Sequence, residues 1–221
     1  MTLEDKQALS SVYKAQIARL GTPISIERYK ELRNYASEYG VKLSGFRNYV
    51  GDTETIETVI NDIYEIAKDF PKILDERRGV ILELDFGMSD EDFATTDSGH
   101  VIKLNAVYFS DLERLNMEYK QLSQKGYFVL NSDWRAICRH EVGHVVANLY
   151  DIDPLKIALE IKHTTNKIEL FEDLSKDLSL YSTSYEDGRE IVSECFSAYY
   201  GKNDNSFVSA FIKRCMDICE G

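Results

Sequence analysis

Apolar residues recur at helical spacing over most of the chain. In the first third, a stripe of isoleucine and valine side chains from Ile56 to Ile66 predicts an amphipathic helix over about residues 53–69. Similar patterns predict helices over residues 3–20 and 25–39. The sequence therefore predicts a helical N-terminal lobe that spans residues 1–75.

The pattern changes after this lobe. Residues 79–86 and 100–109 are short runs that are rich in β-branched residues and partly alternate, so both are predicted to be strands of a small sheet. The polar residues 88–99 are expected to connect them. We expect the second strand, at about Val101 to Leu104, to form the edge of the sheet.

Helical periodicity returns in the second half of the chain. A loop is expected at residues 181–188, between two of the helices. Strands followed by a group of helices indicate the α+β class, and we assign residues 76–221 to one domain of this kind. The helices are predicted at about residues 111–124, 132–150, 153–161, 167–180, 189–200 and 206–219.

The charge of the chain limits its partners. Its 221 residues include 26 Lys and Arg against 38 Asp and Glu, which gives a net charge of −12, and the acidic residues are spread along the sequence. This balance disfavours nucleic acid and anionic membranes as partners and favours a cationic peptide. The sequence does not indicate an oligomeric state.

The sequence also indicates where the protein acts. No run approaches the roughly 18 apolar residues of a membrane span, and the N-terminal residues Met1 to Lys6 lack the features of a signal peptide. We therefore expect a cytoplasmic protein without a membrane segment. The four cysteines show no spacing typical of a structural zinc site and are expected to be reduced, mostly buried thiols: Cys138, Cys195, Cys215 and Cys219.

The motif His140-Glu141-Val142-Gly143-His144 lies inside the helix predicted over residues 132–150. Residues four apart share a helix face, so His140 and His144 can bind one metal ion. Glu141 follows the first histidine by about 100° around the helix, beside the position that a water molecule would occupy. A carboxylate there can take a proton from the water and return it to a leaving amine. The motif therefore predicts a hydrolase that uses Zn²⁺.

A catalytic zinc ion normally has three protein ligands, so a third is required. An extension of the motif by a third histidine is excluded, because Ala147 and Tyr150 stand where that class has Gly and His. His163 lies in polar surroundings and is better interpreted as a surface histidine. Glu160 and Glu169 are possible ligands without a supporting motif.

The best candidates for the third ligand are Glu190 and Glu194. They are four residues apart on one face of the helix predicted over 189–200, next to an apolar stripe. One carboxylate can bind the metal while the other accepts the free ring N–H of a ligand histidine. The alternative is a solvated acidic helix face, and the spacing alone does not decide between them.

The sequences HEVGH at residues 140–144 and EIVSECFSAYY at residues 190–200 together resemble a known pattern. The pattern, His-Glu-x-Gly-His followed by Glu-Phe-Phe-Ala-Glu-x-Phe-Ala, belongs to gluzincin-type zinc metallopeptidases related to anthrax lethal factor and the clostridial Pro-Pro endopeptidases. The chain also resembles zincin-like proteins of phages and other mobile elements. The resemblance extends from about Val101 to the C-terminus, and it implies a zincin-like domain with Glu190 as the third zinc ligand and Glu194 as the partner of a ligand histidine.

The same family has a tyrosine shortly before the glutamate helix, in a Ser-x-Tyr-small context, which donates a hydrogen bond to the developing oxyanion. Residues 178–182, Leu-Ser-Leu-Tyr-Ser, match this context, so the resemblance implies that Tyr181 has this role. The separation between Tyr181 and Glu190 is slightly longer than in the family. Tyr185 is therefore kept as an alternative.

The sequence as a whole predicts a zinc-dependent metalloendopeptidase. Glu141 would be the general base, and a peptide or protein substrate would pair in extended form with the edge of the sheet. The alternative is a non-catalytic structural or interaction protein of a phage or mobile element that retains a zinc site. A structural site has no need of Glu141 or of an open coordination position, so the motif favours the enzyme.

Overall fold

The computed structural model of the chain describes residue 12 and residues 14–75, 77–89, 91–203 and 205–220. It has a four-stranded sheet and a larger set of helices, so the fold class is α+β as predicted. The helix predicted over residues 3–20 is present at residue 12 and over 14–20. Its other residues lie outside the described part of the chain.

The N-terminal part contains two long helices and one strand. Helix α1 is Ile26–Glu38, strand β1 is Lys42–Ser44 and helix α2 is Thr53–Ala67. Helix α2 begins where Asp52 accepts the backbone N–H of Glu54, and the isoleucine stripe predicted on it is buried. Short 3₁₀ turns at Phe46–Asn48 and Pro71–Leu74 flank this helix.

Three further strands complete the sheet: β2 at Ile81–Asp85, β3 at Ala94–Asp97 and β4 at Val101–Asn105. The spatial order is β1-β2-β4-β3, with β1, β2 and β4 parallel and β3 antiparallel to β4. Strands β2 and β4 alternate between half-buried and buried residues, and the buried ones are Leu82, Leu84, Ile102, Leu104 and Asn105. This alternation places one face of the sheet against the helices.

Two predictions about the sheet are wrong. The strand at Val101 to Leu104 is internal, and the edge next to it is β3, which lies in the segment predicted to be a polar connection. The predicted strand also ends early, because Asn105 accepts the backbone N–H of Val107 and starts the short helix α3, Ala106–Phe109. Strand β4 thus ends at Asn105, whose side chain caps the N-terminus of helix α3.

The second half of the chain is helical, and its helices lie where the sequence predicts them, with small shifts at their ends. The predicted loop contains a 3₁₀ turn at Tyr181–Thr183. None of the helices in the described residues is long and apolar enough to cross a membrane. The helices are α4 at Leu112–Gln124, α5 at Arg135–Leu149, α6 at Pro154–Lys162, α7 at Lys167–Asp177, α8 at Arg189–Tyr200 and α9 at Ser206–Glu220.

Helices α5 and α8 pack closely against each other and are buried over most of their length. Their contact depends on Gly143, since a Cβ atom there would lie 2.8 Å from the Cα atom of Ser193. On its other side, α5 contacts α2, where the buried Arg139 lies 3.1 Å from an oxygen of Asp62. The division into domains at residue 75 stays a prediction, and β1 and α2 on one side of it contact β2 and α5 on the other.

Candidate metal centre

Helix α5 presents His140 and His144 on one face. The helix begins after Asp133, whose carboxylate accepts the backbone N–H of Arg135 at 2.9 Å. His140 is buried and His144 is about one-fifth exposed at its side chain. The two rings lie 5.0 Å apart between centroids, as the four-residue spacing predicts.

Helix α8 supplies Glu190 from its first turn. Its Oε2 atom lies 3.0 Å from Nε2 of His140 and 3.2 Å from Nε2 of His144. The position near the helix N-terminus favours a negative charge there. The three residues therefore form a group of ligand atoms within 4.8 Å of one another that could hold a metal ion, and they are the only such group in the described residues.

The spacing of the donor atoms fits a metal ion. Glu190 Oε2 is buried and makes no hydrogen bond with acceptable geometry, although both imidazole nitrogens are close to it. Two ligands of a tetrahedral site with bonds of roughly 2.0–2.1 Å are about 3.3 Å apart. The observed spacings of 3.0 and 3.2 Å are close to this value.

The charges in this group affect each other strongly. Burial lowers the pKa of His140, but its contacts with Glu190 and Glu194 outweigh this effect and raise the pKa to about 10. Burial alone would raise the pKa of Glu190. The contacts with His140 and His144 outweigh burial and lower this pKa to about 2. Glu190 is therefore ionised, as a metal ligand must be, and a proton competes with a metal ion for His140.

Glu194 lies one turn beyond Glu190 and has a different role. Its Oε1 atom lies 2.9 Å from Nδ1 of His140, and its Oε2 atom accepts the backbone N–H of Val129 at 3.1 Å. The carboxylate oxygens of Glu194 act as acceptors, so Nδ1 of His140 carries the hydrogen and Nε2 is the nitrogen that faces Glu190. Both glutamates are buried, which excludes the solvated acidic face that the sequence left open.

Glu141 is also buried, at 6 % exposure, and it lines the same cleft as His140 and Tyr181. Its carboxylate Oε2 accepts a hydrogen bond from the hydroxyl of Thr96 at 2.8 Å. Thr96 belongs to the edge strand β3 and lies opposite Ile102 of β4. The edge of the sheet thus holds the Glu141 side chain in the cleft that His140 lines.

Tyr181 lies against the metal group. Its ring centroid is 5.5 Å from that of His140, and its backbone N–H donates to the carbonyl of Tyr127 at 2.9 Å. Burial, followed by the charge of Glu190, raises the pKa of Tyr181, so its hydroxyl keeps its proton. That hydroxyl makes no hydrogen bond to any described residue. Tyr185 lines the same cleft, but it is 45 % exposed and its ring lies 4.8 Å from the guanidinium carbon of Arg189.

The other candidates for the third ligand lie elsewhere. His163 ends helix α6 with a left-handed backbone and lines a separate groove on that side of the molecule. The Glu160 side chain is about half exposed, and its carboxylate lies 3.9 Å from the guanidinium group of Arg214. Glu169 accepts a hydrogen bond from Thr164. None of the three approaches His140 or His144.

Sequence reasoning missed Thr96 because it missed strand β3. A sequence signal for that strand was present at the turn between β3 and β4, where Ser98 and Gly99 have positive φ values of 52° and 74°. Asp-Ser-Gly between two runs of strand-forming residues is typical of a hairpin. The backbone contact of Val129 with Glu194 has no sequence signal, because every residue except proline has a backbone N–H group.

The arrangement as a whole can bind a metal ion through two imidazole nitrogens and a carboxylate, with a second carboxylate and a phenol beside it. Comparison of the chain with protein-family models, with curated proteins and with solved structures found no match. The chemistry of the site is therefore inferred from its own residues.

Proposed function

We propose that the chain is a zinc-dependent endopeptidase of the zincin type, with the metal held by His140, His144 and Glu190. The observation that carries this proposal is the convergence of three ligand atoms from helices α5 and α8, with Glu141 in the cleft that His140 lines. Two histidines and a carboxylate are a known ligand set of catalytic zinc that leaves a position for water.

The same ligand set also suits iron(II), so the choice of metal depends on the surroundings. A hydrolase needs a base next to the metal, and Glu141 follows His140 directly on the helix. An oxygenase has no such requirement. The carboxylate of Glu141 therefore favours zinc and hydrolysis.

A bound zinc ion would supply Lewis-acid chemistry, which polarises the scissile carbonyl and makes a water molecule acidic. Glu141 removes a proton from this water as the water oxygen bonds to the carbonyl carbon. Glu141 then delivers the proton to the amine nitrogen as the peptide C–N bond breaks. The Tyr181 hydroxyl donates a hydrogen bond to the carbonyl oxygen while negative charge develops on it.

The substrate would bind along strand β3. The outer edge of this strand pairs with no strand in the described residues, and Thr96 of β3 contacts Glu141 directly. An extended peptide that adds to this edge would pass close to the metal group, with its backbone held by main-chain hydrogen bonds. The predicted edge at Val101 to Leu104 is internal and cannot serve this purpose.

The rival is a structural or interaction protein with a non-catalytic zinc site. Such a site needs neither a base nor a cleft beside the metal. Glu141, Tyr181 and a cleft that reaches His140 are all found together here, and this combination favours the enzyme.

Metal analysis combined with a peptide digest tests the proposal. Protein purified without chelator is expected to contain one zinc ion per chain and to cleave members of a broad peptide library. A chelator should stop the cleavage, and added zinc should restore it. Iron in place of zinc, or a zinc-loaded protein that cleaves nothing, would overturn the proposal.

A further inference from the structure

A cleft of about 500 Å³ opens beside the metal group and continues away from it. His140, Glu141 and Tyr181 form the wall of the cleft nearest to the metal ligands. The remainder extends between strand β3 and helix α4, with Phe93 and Tyr119 on its walls. In a peptide bound along β3, a side chain close to the cleaved bond would enter this space.

Aromatic rings form the walls of the cleft. Tyr119 and Phe128 are stacked with an interplanar angle of 3° and a centroid distance of 5.1 Å, and Phe93 lies 6.1 Å from Tyr119. Tyr108 packs edge-on against Phe93 at 4.7 Å. Such walls accept either an apolar side chain or the aliphatic stem of a long cationic one.

The charges of the cleft distinguish between these two possibilities. Glu91, Asp92 and Glu118 line its outer part, while neither lysine nor arginine contributes to its lining among the described residues. The carboxylates of Glu91 and Asp92 are exposed and make no ion pair with any described residue. An apolar side chain would gain nothing from these hydrated charges, whereas a cation would interact with them.

The chain itself shows that this wall accepts a guanidinium group. Arg114 donates through Nε to Glu118 at 2.7 Å, and its guanidinium carbon lies 4.8 Å from the ring of Tyr108. Tyr108 in turn donates its hydroxyl to Glu118 at 2.9 Å. An aromatic ring next to a carboxylate therefore already binds one cation at the rim of the cleft.

From the aromatic walls and the excess of carboxylates we infer that the cleft binds an arginine or lysine side chain of the peptide substrate. The inference rests on the proposed function, because it assigns a substrate class to the same site. The stem of the side chain lies along Phe93 and Phe128, which are half-buried in the lining of the cleft, and its charged end reaches Glu91 and Asp92.

A binding measurement tests the inference without turnover. Zinc-loaded Glu141→Gln is titrated calorimetrically with alanine-based peptides that contain one arginine, or in its place the neutral isostere citrulline. We expect the arginine peptide to bind about tenfold more tightly, because one cation–π contact and partly exposed ion pairs each contribute modestly. The zinc-depleted parent protein is a second inactive form for the same titration. Equal affinities would overturn the inference.

Paired variants separate the cleft from the overall charge of the protein. Glu91→Gln combined with Asp92→Asn should reduce the preference for arginine to less than about threefold and leave the affinity for the citrulline peptide unchanged. Glu38→Gln combined with Glu172→Gln removes two exposed charges outside the cleft and should leave the preference intact. An equal loss in both double variants would show that net charge, and not the cleft, selects the cation.

The failure of this inference is distinguishable from the failure of the proposed function. If the parent cleaves library peptides without a preference for arginine or lysine near the cleaved bond, the specificity inference is wrong and the peptidase stands. If the parent cleaves nothing but the arginine peptide still binds preferentially through Glu91 and Asp92, the cleft is a cation site and the peptidase proposal falls.

Discussion

Glu190 and Glu194 are both buried glutamates on one helix face, but they contact different atoms of the metal group. Glu190 faces the Nε2 atoms of both histidines, while Glu194 contacts Nδ1 of His140 and the backbone of Val129. One is therefore placed to bind the metal directly, and the other to orient a ligand.

This difference predicts that substitution of the two glutamates weakens zinc binding to different extents. Glu190→Ala removes a ligand and should abolish zinc binding, whereas Glu194→Ala removes only the acceptor that orients His140 and should weaken binding by about 10- to 100-fold. Zinc affinity is measured by competition with a chromophoric chelator, and circular dichroism checks that both variants fold. The reverse order of effects would show that the roles of the two residues are exchanged.

Thr96 is a positioning residue, because it acts through Glu141. Thr96→Val keeps the shape of the side chain and removes the hydroxyl that donates to Glu141 at 2.8 Å. Since a hydrogen bond to a charged group is worth a factor of roughly 10 to 100, we expect kcat to fall by about tenfold with KM and zinc content unchanged.

Thr96→Ser is the matched control, since it retains the hydroxyl and should keep most of the activity of the parent. Steady-state kinetics on one library-derived peptide measures both variants. If Thr96→Val keeps the kcat of the parent, the hydroxyl does not orient Glu141.

At the scale of elements, the crossing of helices α5 and α8 brings the ligands together. Gly143 lies in the metal-binding motif, and its missing side chain lets α8 approach, because a Cβ there would lie 2.8 Å from Ser193 Cα and 3.3 Å from Phe196 Cβ. The Ser193 Cα is a backbone atom, so a change of side-chain rotamer cannot relieve this close contact. The distance between the two helices therefore depends on this glycine.

Gly143→Ala is expected to destabilise the protein although alanine favours helices. Overpacking costs about 1–3 kcal/mol, and the helix propensity of Ala returns about 1 kcal/mol, so the free energy of unfolding should fall by up to roughly 2 kcal/mol. Zinc affinity should fall as well, since the ligands are on both helices. Denaturant unfolding and chelator competition measure the two effects, and a variant as stable as the parent with unchanged affinity would contradict this interpretation.

The sequence predicted the helices better than the sheet. Long helices such as α2 and α9 have strong apolar periodicity, and their positions match the prediction within a few residues. Strand β1 has only three residues and β3 is half-exposed with polar residues, so neither shows a strong pattern. The metal histidines follow from helix spacing alone, while the Thr96 contact depends on the register of β3 and β4, which local sequence does not encode.

At the scale of the whole molecule, the N-terminal helix α2 supports the helix that carries the metal motif. Arg139 is next to His140, and its buried guanidinium contacts Asp62 of α2 through oxygens at 3.1 and 3.2 Å. The sulfur of Cys138 also lies 4.0 Å from the carbonyl oxygen of Val59. These contacts lead us to expect that the predicted N-terminal lobe and the metal-binding part unfold together.

Asp62→Ala tests this coupling. The change leaves the Arg139 guanidinium buried without its carboxylate, which should lower the free energy of unfolding by about 3 kcal/mol. Glu65→Ala is the control on the same helix, because its ion pair with Lys68 is exposed and should contribute less than about 1 kcal/mol. Calorimetry should show one transition in the parent and in both variants. Two separate transitions, with Asp62→Ala affecting only one, would show that the two parts are independent.

The activity of Glu141→Gln tests most directly whether this molecule hydrolyses peptide bonds with Glu141 as its proton carrier, as we propose. Glutamine preserves the size of the side chain and leaves His140, His144 and Glu190 in place, so zinc content and thermal stability should hardly change. Peptidase activity should fall by about 10² to 10⁴, which is the usual contribution of a general acid–base group. A zinc-loaded Glu141→Gln protein that cleaves the same peptides at the rate of the parent would contradict the account.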